Sequence, residues 1–400
     1  MKRQIRVLSL IEDLSFGGGQ ARLLTFARTI DRSRFAHIVA TIRPPQTGPD
    51  AKYGTMYQQY VEAGVDVVNL GERRRAAHTL LPKPARMAYT ALFLCRVARR
   101  LCRLIREQGI DLVDAHLNVA NGVSVLAGRM TRTPVVVTLY HAKHYTQEAR
   151  LHALGVRFAL TKASAIVTDS GVRADDLRLQ VGAPHPPIAV IPNGVFPPLS
   201  TQTRSSMRRA LGLPDDPSIR VIGQVSGLTR FKGQSVLLRA AKLVVAEEPR
   251  TCVLCIGYER GADAYKRSLE QEVADLGLSR HVRITGYPGP VGDVWQAIDI
   301  HAHASLFDSL PNAIIEGMSL AKPAVVTAVG GVPEIATHRQ TALVVPAGDP
   351  QMLAQALLEL LRQPETAQQL GGAARQRYDE RYRPETMTDR LQELFCDIVG

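Results

Sequence analysis

No run in this 400-residue sequence is at once long, apolar and free of proline, so no membrane-spanning helix is expected. The longest uncharged stretch, Leu179 to Thr203, holds six prolines, each of which removes an amide donor from any helix built there. Cysteine is scarce: five in the whole chain, an odd number, which does not read as a secreted disulfide framework and favours a reducing compartment. Cys252 and Cys255 spell C-x-x-C, but within TCVLCIG, whose β-branched character reads as a strand. Residues three apart on a strand face opposite sides, so buried structural thiols are expected rather than a metal or redox pair. The opening MKRQIRVLSLI has too short an apolar run before Glu12 and Asp13 for a signal peptide. Hydrophobic residues at 45% and charged residues at 22% lie near the globular average and exclude a disordered or fibrous chain.

What the chain has in excess is positive charge, a net +12, which favours polyanions: phosphates, nucleic acid or an anionic lipid surface. From Glu72 to Glu107 ten basic residues face two acidic ones, a local net of +8. Part of this segment, Arg86 to Gln108, reads as one long helix with Arg96, Arg99, Arg100, Arg103 and Arg106 beside Leu92, Phe93, Leu94 and Cys95. That pattern fits an interfacial anchor and equally an ordinary helix with one buried stripe.

Short β-rich runs alternate with helical patterns, the mark of a parallel α/β sheet. IRVLSLI, HIVATI, VDVVNL, DLVDAH, PVVVTLY, AIVTDS and IAVIP are the strands of a first set. A proline-rich stretch and the polar TQTRSSMRR then read as a linker. The alternation restarts with RVIGQVS, TCVLCIG, VRITGY, IDIHAHAS, PAVVTAV and TALVVPA. The expected division is 1–195, 196–375, and a C-terminal helical segment 376–400 that packs back on the first domain; Met352–Arg362 and Pro384–Val399 are the last helices expected.

Gly17, Gly18 and Gly19 follow the first strand and precede a helix, where backbone amides can approach an anion; the alternative is a plain strand-to-helix turn. Their spacing is not G-x-G-x-x-G, and no carboxylate ends the second strand, so a dinucleotide site is excluded. The densest signal is HAHASLFDSLPNAIIEGMSLAKPAVVTAVGGVPEI, His301 to Ile335. Here Ser309 is expected to cap a helix whose first position is Pro311, leaving the amides of Asn312 and its neighbours for a phosphate. Glu316 follows four residues later, about 6 Å along the axis. That offset suits a diphosphate at the helix start and a ribose diol at the carboxylate. Gly330 and Gly331 open a second helix start with a similar set of amides.

These residues resemble the E-x7-E signature of retaining glycosyltransferase family 4: an acidic residue, LPN, two aliphatics, E-A-M-A, G-x-P-V-V and G-G-x-P-E. The resemblance runs through Gly17–Gly19, Asp114-Ala115-His116, Thr138 to His141, Ser170, Ile191 to Val195, Lys232-Gly233, Gly257, Gly286, Asp299 and Leu343 to Pro346. It implies a GT-B fold, two Rossmann-like domains facing across an interdomain cleft, with the donor on the C-terminal domain and the acceptor on the N-terminal one. It implies Glu316 as ribose ligand, Asp308, Leu310, Pro311 and Asn312 around the donor sugar, Lys232 as the diphosphate cation, and His141 near the reacting sugar. His116, at a similar strand end, is expected to be structural.

Three departures stand out. The first acidic residue is Asp308 rather than Glu, the arginine often found before the lysine is replaced at Ser226 and Gly227, and Ala321 stands where a glycine is usual. Arg230 is the candidate substitute for the arginine. The implied activity is metal-independent sugar transfer with retention, from a nucleoside diphosphate sugar to a glycan or lipid-linked glycan. No cofactor and no nucleic-acid partner are expected; an anionic face of the cytoplasmic membrane is the candidate further partner of a cytoplasmic protein. A sugar-nucleotide 2-epimerase and a non-catalytic binder of anionic surfaces are the alternatives.

Overall fold

The computed structural model describes residues 3–15, 17–44, 56–71, 82–140, 157–181, 185–259 and 263–400. His141 and Arg73 to Arg75 lie outside the described residues. The chain divides into two compact units, one of Met1–Gly194 with Pro384–Gly400, the other of Val195–Arg383.

The first unit is built on seven strands: β1 (Ile5–Ile11), β2 (Phe35–Thr41), β3 (Asp66–Asn69), β4 (Leu112–His116), β5 (Val135–Leu139), β6 (Ala165–Thr168) and β7 (Ile188–Val190). Their order is β3-β2-β1-β4-β5-β6-β7, with every pairing parallel. β4, β5 and β6 are buried along their whole length, as strands covered by helices on both faces must be. On one face the helix Lys83–Gln108 sets Phe93, Val97, Leu101 and Ile105 in a core with Leu8, Val113 and Val137. On the other the C-terminal helix Pro384–Val399 brings Met387, Leu391 and Phe395 against Val7, Phe26 and Val136. Phe26 and Phe395 meet edge to face at 5.7 Å, and Gln392 Oε1 accepts the Asp31 amide at 2.7 Å.

The second unit has β8 (Arg220–Val225), β9 (Thr251–Ile256), β10 (Val282–Thr285), β11 (Ile300–His303), β12 (Ala324–Thr327) and β13 (Leu343–Val345), ordered β10-β9-β8-β11-β12-β13 and again parallel. The order reverses between β8 and β11, where Ile222 pairs with Ile300, and ligands of doubly wound sheets bind at the carboxyl ends of such a pair. Cys252 and Cys255 are buried in different cores on opposite faces of β9, and burial pushes the Cys255 thiol up to about 12, so both are packed, inert thiols.

Two helices differ from the sequence reading. TQTRSSMRR is no linker: Arg204–Ala210 is a helix, opened by a capping box in which Thr203 Oγ1 accepts the Ser206 amide at 3.2 Å. Pro364–Arg381 is also a helix, although Gly371 and Gly372 interrupt its pattern. Gly371 is needed there, because a Cβ would lie 2.2 Å from the Ala321 carbonyl on which the helix packs.

Candidate functional site

Three loops of the second unit interlock at the carboxyl ends of β8, β11 and β12. The first carries the one-turn helix Arg230–Lys232 and then Gly233, whose φ of 69° and hypothetical Cβ 1.9 Å from the Ala304 oxygen admit only glycine. The second runs from Ala304 to Pro311, and its Leu306 amide donates to Phe231 O at 2.7 Å. The third is Gly330-Gly331, with Gly330 at φ 50° pressed on the Asp308 carbonyl and the Gly331 amide bonded to Ser309 O at 2.9 Å. The Val332 amide is also engaged, at 2.9 Å from Val329 O.

Asp308 is the hub of these loops. Its Oδ2 takes Lys232 Nζ at 2.5 Å, His303 Nε2 at 2.9 Å and Ser305 Oγ at 3.3 Å, and its Oδ1 accepts the Ser309 amide at 3.1 Å. Burial opposes its ionisation, but the His303 hydrogen bond and charge together with Lys232 outweigh it and hold the carboxyl well below the usual carboxylate range. Arg230 is exposed, with its guanidinium 5.4 Å over the Tyr265 ring.

The helix after LPN is Asn312–Ser319, with Pro311 rather than Ser309 at its N-cap and no side-chain cap hydrogen bond. The helix thus starts one residue later than expected, and Ser309, two residues before the N-cap, gives its backbone amide to Asp308 and its carbonyl to Gly331. Leu310 and Pro311 are buried in the approach, and Asn312 is half-buried at the first helical position. Glu316 is half-buried, and burial raises its pKa while the Trp295 indole, donating to Oε2 at 3.1 Å, acts in the opposite sense. Ala321 adopts φ 52°, the left-handed turn where glycine is usual. Among the described residues no group of His, Cys, Asp and Glu is arranged to hold a metal ion.

In the first unit, at the carboxyl ends of β1, β4 and β5, a chain of buried polar side chains crosses the sheet. His37 Nε2 meets Ser9 Oγ at 2.9 Å, Ser9 donates to Asp114 Oδ2 at 3.2 Å, His116 Nε2 contacts the same oxygen at 2.7 Å, and His116 Nδ1 meets Tyr140 Oη at 2.8 Å. Burial pushes His37 down to about 4 and keeps it neutral, whereas Asp114, despite burial, is held low by His116. Tyr140 lies under the glycine loop: a Cβ on Gly19 would come within 3.1 Å of its ring, while Gly18 faces open space. Gly17 is extended and precedes the helix Gly18–Thr29, which no side chain caps. His116, with a partner on each ring nitrogen, thus belongs to this buried network.

Sequence reasoning missed His303, Ser305, Trp295 and Tyr140. The signal for His303 lay in HAHA, whose alternation puts both histidines on one strand face, five residues before an acidic one.

Two doubly wound units in one chain define a GT-B fold, and solved structures share it over nearly the full length. The chain resembles Anabaena HepE in complex with UDP, at TM-score 0.80, 20% identity and coverage of 98% of this chain and 100% of that one. The same protein in complex with UDP-glucose matches at TM-score 0.79 and 21% identity, with the same coverage. Among proteins of described activity, the D-inositol 3-phosphate glycosyltransferase of Corynebacterium diphtheriae is 26% identical over 332 residues, 78% of this chain and 76% of the relative. Residues 17–194 match the glycosyl transferase 4-like domain and residues 219–363 match glycosyl transferases group 1. The chain belongs to the glycosyltransferase 4-like family, and it is a glycosyltransferase.

Proposed function

We propose that this enzyme moves a hexose from a nucleoside diphosphate sugar to a glycan or lipid-linked glycan, with retention of configuration and without a metal ion. The observation that carries the reading is the placement of Lys232 after β8 and of Glu316 on the helix after β11, the two strands of the switch point: a cation for a diphosphate and a half-buried carboxylate for a ribose diol. As the bond from the sugar to the diphosphate breaks, negative charge builds on the leaving phosphate. Lys232 and the positive end of the helix Asn312–Ser319 meet that charge without reorganising much of the site. Asp308 holds Lys232 in place, Arg230 supplies a second cation, Leu310, Pro311 and Asn312 line the donor sugar, and Gly330 and Gly331 buttress them from behind. His141 and the loop Gly17, Gly18, Gly19 serve the reacting sugar and the acceptor in the first unit.

The helix Lys83–Gln108 is assigned to an anionic membrane surface at the cytoplasmic face. Arg99, Arg103 and Arg106 are exposed on it beside Cys95 and Leu92, the latter 52% exposed, which supports an in-plane amphipathic face. No helix among the described residues is long and apolar enough to cross a membrane.

The test is incubation with a panel of nucleoside diphosphate sugars, UDP-glucose first because the Anabaena protein is solved with it. Transfer in EDTA to an added glycan, with the donor's anomeric configuration kept in the product, supports the reading. Conversion of the donor sugar with no acceptor present replaces it with an epimerase, and inversion at the anomeric carbon overturns retention.

A further inference from the structure

The chain has one tryptophan, Trp295, and it is fully buried. It stands on the helix Val291–Ala297, 21 residues before Glu316, and its indole N–H donates to Glu316 Oε2 at 3.1 Å. No hydrogen bond reaches Glu316 Oε1 among the described residues. The indole packs against two further residues. The edge of the His301 ring meets it at 5.0 Å between centroids and 82° between planes. His301 is wholly buried, neither of its ring nitrogens has a partner, and burial holds its pKa down at about 3, so it is a neutral packing ring that does not compete for the carboxylate. Gly317, immediately after the carboxylate, lies against both rings. A Cβ there would sit 3.2 Å from His301 Nδ1 and 3.3 Å from the indole, so the missing methyl lets the helix Asn312–Ser319 settle onto Trp295.

We infer that Trp295 is the positioning residue of the donor site: its N–H fixes one oxygen of Glu316, and the ring, packed against His301 and Gly317, sets the carboxylate so that its other oxygen faces the ribose hydroxyls. This rests on Glu316 as the ribose ligand. A flexible glutamate would lose side-chain freedom on binding, and a carboxylate already held by one donor loses less. An indole N–H is a donor only, so it cannot replace the carboxylate as acceptor of the sugar hydroxyl protons. Because no second tryptophan exists, the emission of the whole chain reports on this one contact.

The experiment titrates the full chain with UDP, GDP, ADP and CDP and with the 2′,3′-dideoxy form of each, following tryptophan emission and binding heat. One ribonucleotide is expected to bind and to change the emission saturably, with its dideoxy form about tenfold weaker. In Trp295→Phe the ribonucleotide weakens about tenfold while the dideoxy form stays within about twofold, so discrimination collapses. Equal weakening of both forms is a merely structural effect and overturns the inference. Should Trp295→Phe not fold, Gly317→Ala crowds the same ring: reduced discrimination with shifted emission supports the inference, and wild-type discrimination overturns it. Glu316→Gln separates the two levels. If Glu316→Gln keeps wild-type discrimination, or if none of the four ribonucleotides binds the wild-type chain, the donor-site reading itself falls and the role of Trp295 with it. If Glu316→Gln loses discrimination and Trp295→Phe keeps it, only the positioning role is lost.

Discussion

Lys232 Nζ lies 2.5 Å from Asp308 Oδ2, so the cation assigned to the diphosphate is held by a carboxylate one methylene shorter than the glutamate usual in E-x7-E sequences. His303, Ser305 and the Ser309 amide occupy the same carboxylate, which makes Asp308 the anchor of Lys232 and of its own loop rather than an open sugar ligand.

Lys232→Ala is expected to lower kcat by about a hundredfold or more, since a preorganised charge on the leaving group is lost. Asp308→Asn is expected to fold but to lose stability in a pH-dependent way. The Asp308 pKa is depressed, so its contribution is present above the ordinary carboxylate pKa of about 4 and is lost as pH falls through the folded value. Melting curves of the two proteins should therefore diverge at neutral pH and converge in acid; a constant gap contradicts the anchoring.

Glu316 behaves in the opposite way. Its pKa is raised by burial, so the folded ligand-free chain holds this proton more tightly than the unfolded chain and loses stability as pH rises through the folded value. Glu316→Gln is expected to melt higher than wild type at pH 8, with the gap closing below the carboxylate range, while nucleotide binding weakens about tenfold. Thermal unfolding across pH checks the sign, and a destabilised Glu316→Gln at pH 8 contradicts it.

Gly233→Ala is expected to destabilise the second unit by about 2 kcal/mol or more, because it adds a side chain at positive φ directly against the Ala304 carbonyl. Gly18→Ala, with open space around it, is expected to leave stability within about 1 kcal/mol. Urea melts of the two variants separate a packing role from a site role for glycine.

Replacing Arg99, Arg103 and Arg106 together by glutamine is expected to abolish sedimentation with anionic liposomes at low salt, since each exposed basic residue contributes about 1 kcal/mol near such a surface. Unchanged binding, or none by the wild-type chain, sends the helix back to being a solvated face.

The sheets were legible because parallel strands buried on both faces read as short β-rich runs, and the donor loops because LPN and the Asp308 to Glu316 spacing are local. His303, Trp295 and Tyr140 were not. Trp295 meets Glu316 only after two helices fold together, and Tyr140 meets His116 only when β4 and β5 pair. The helix Pro364–Arg381 was hidden by Gly371, which serves a close tertiary contact at the expense of local helix propensity. The loop-to-loop bonds of the Ser309 backbone with Asp308 and Gly331 were equally out of reach, since Gly331 lies 22 residues further on.

The most direct measurement of the central claim is the melting temperature of the wild-type chain and of Glu316→Ala against nucleoside diphosphates, each at about 100 times its dissociation constant for the wild-type chain. One nucleotide is expected to stabilise the wild type by about 2.7 kcal/mol and Glu316→Ala, at about tenfold weaker binding, by only about 1.4 kcal/mol, in the presence of EDTA. Equal stabilisation of both proteins, or stabilisation only when a divalent metal is added, would contradict it.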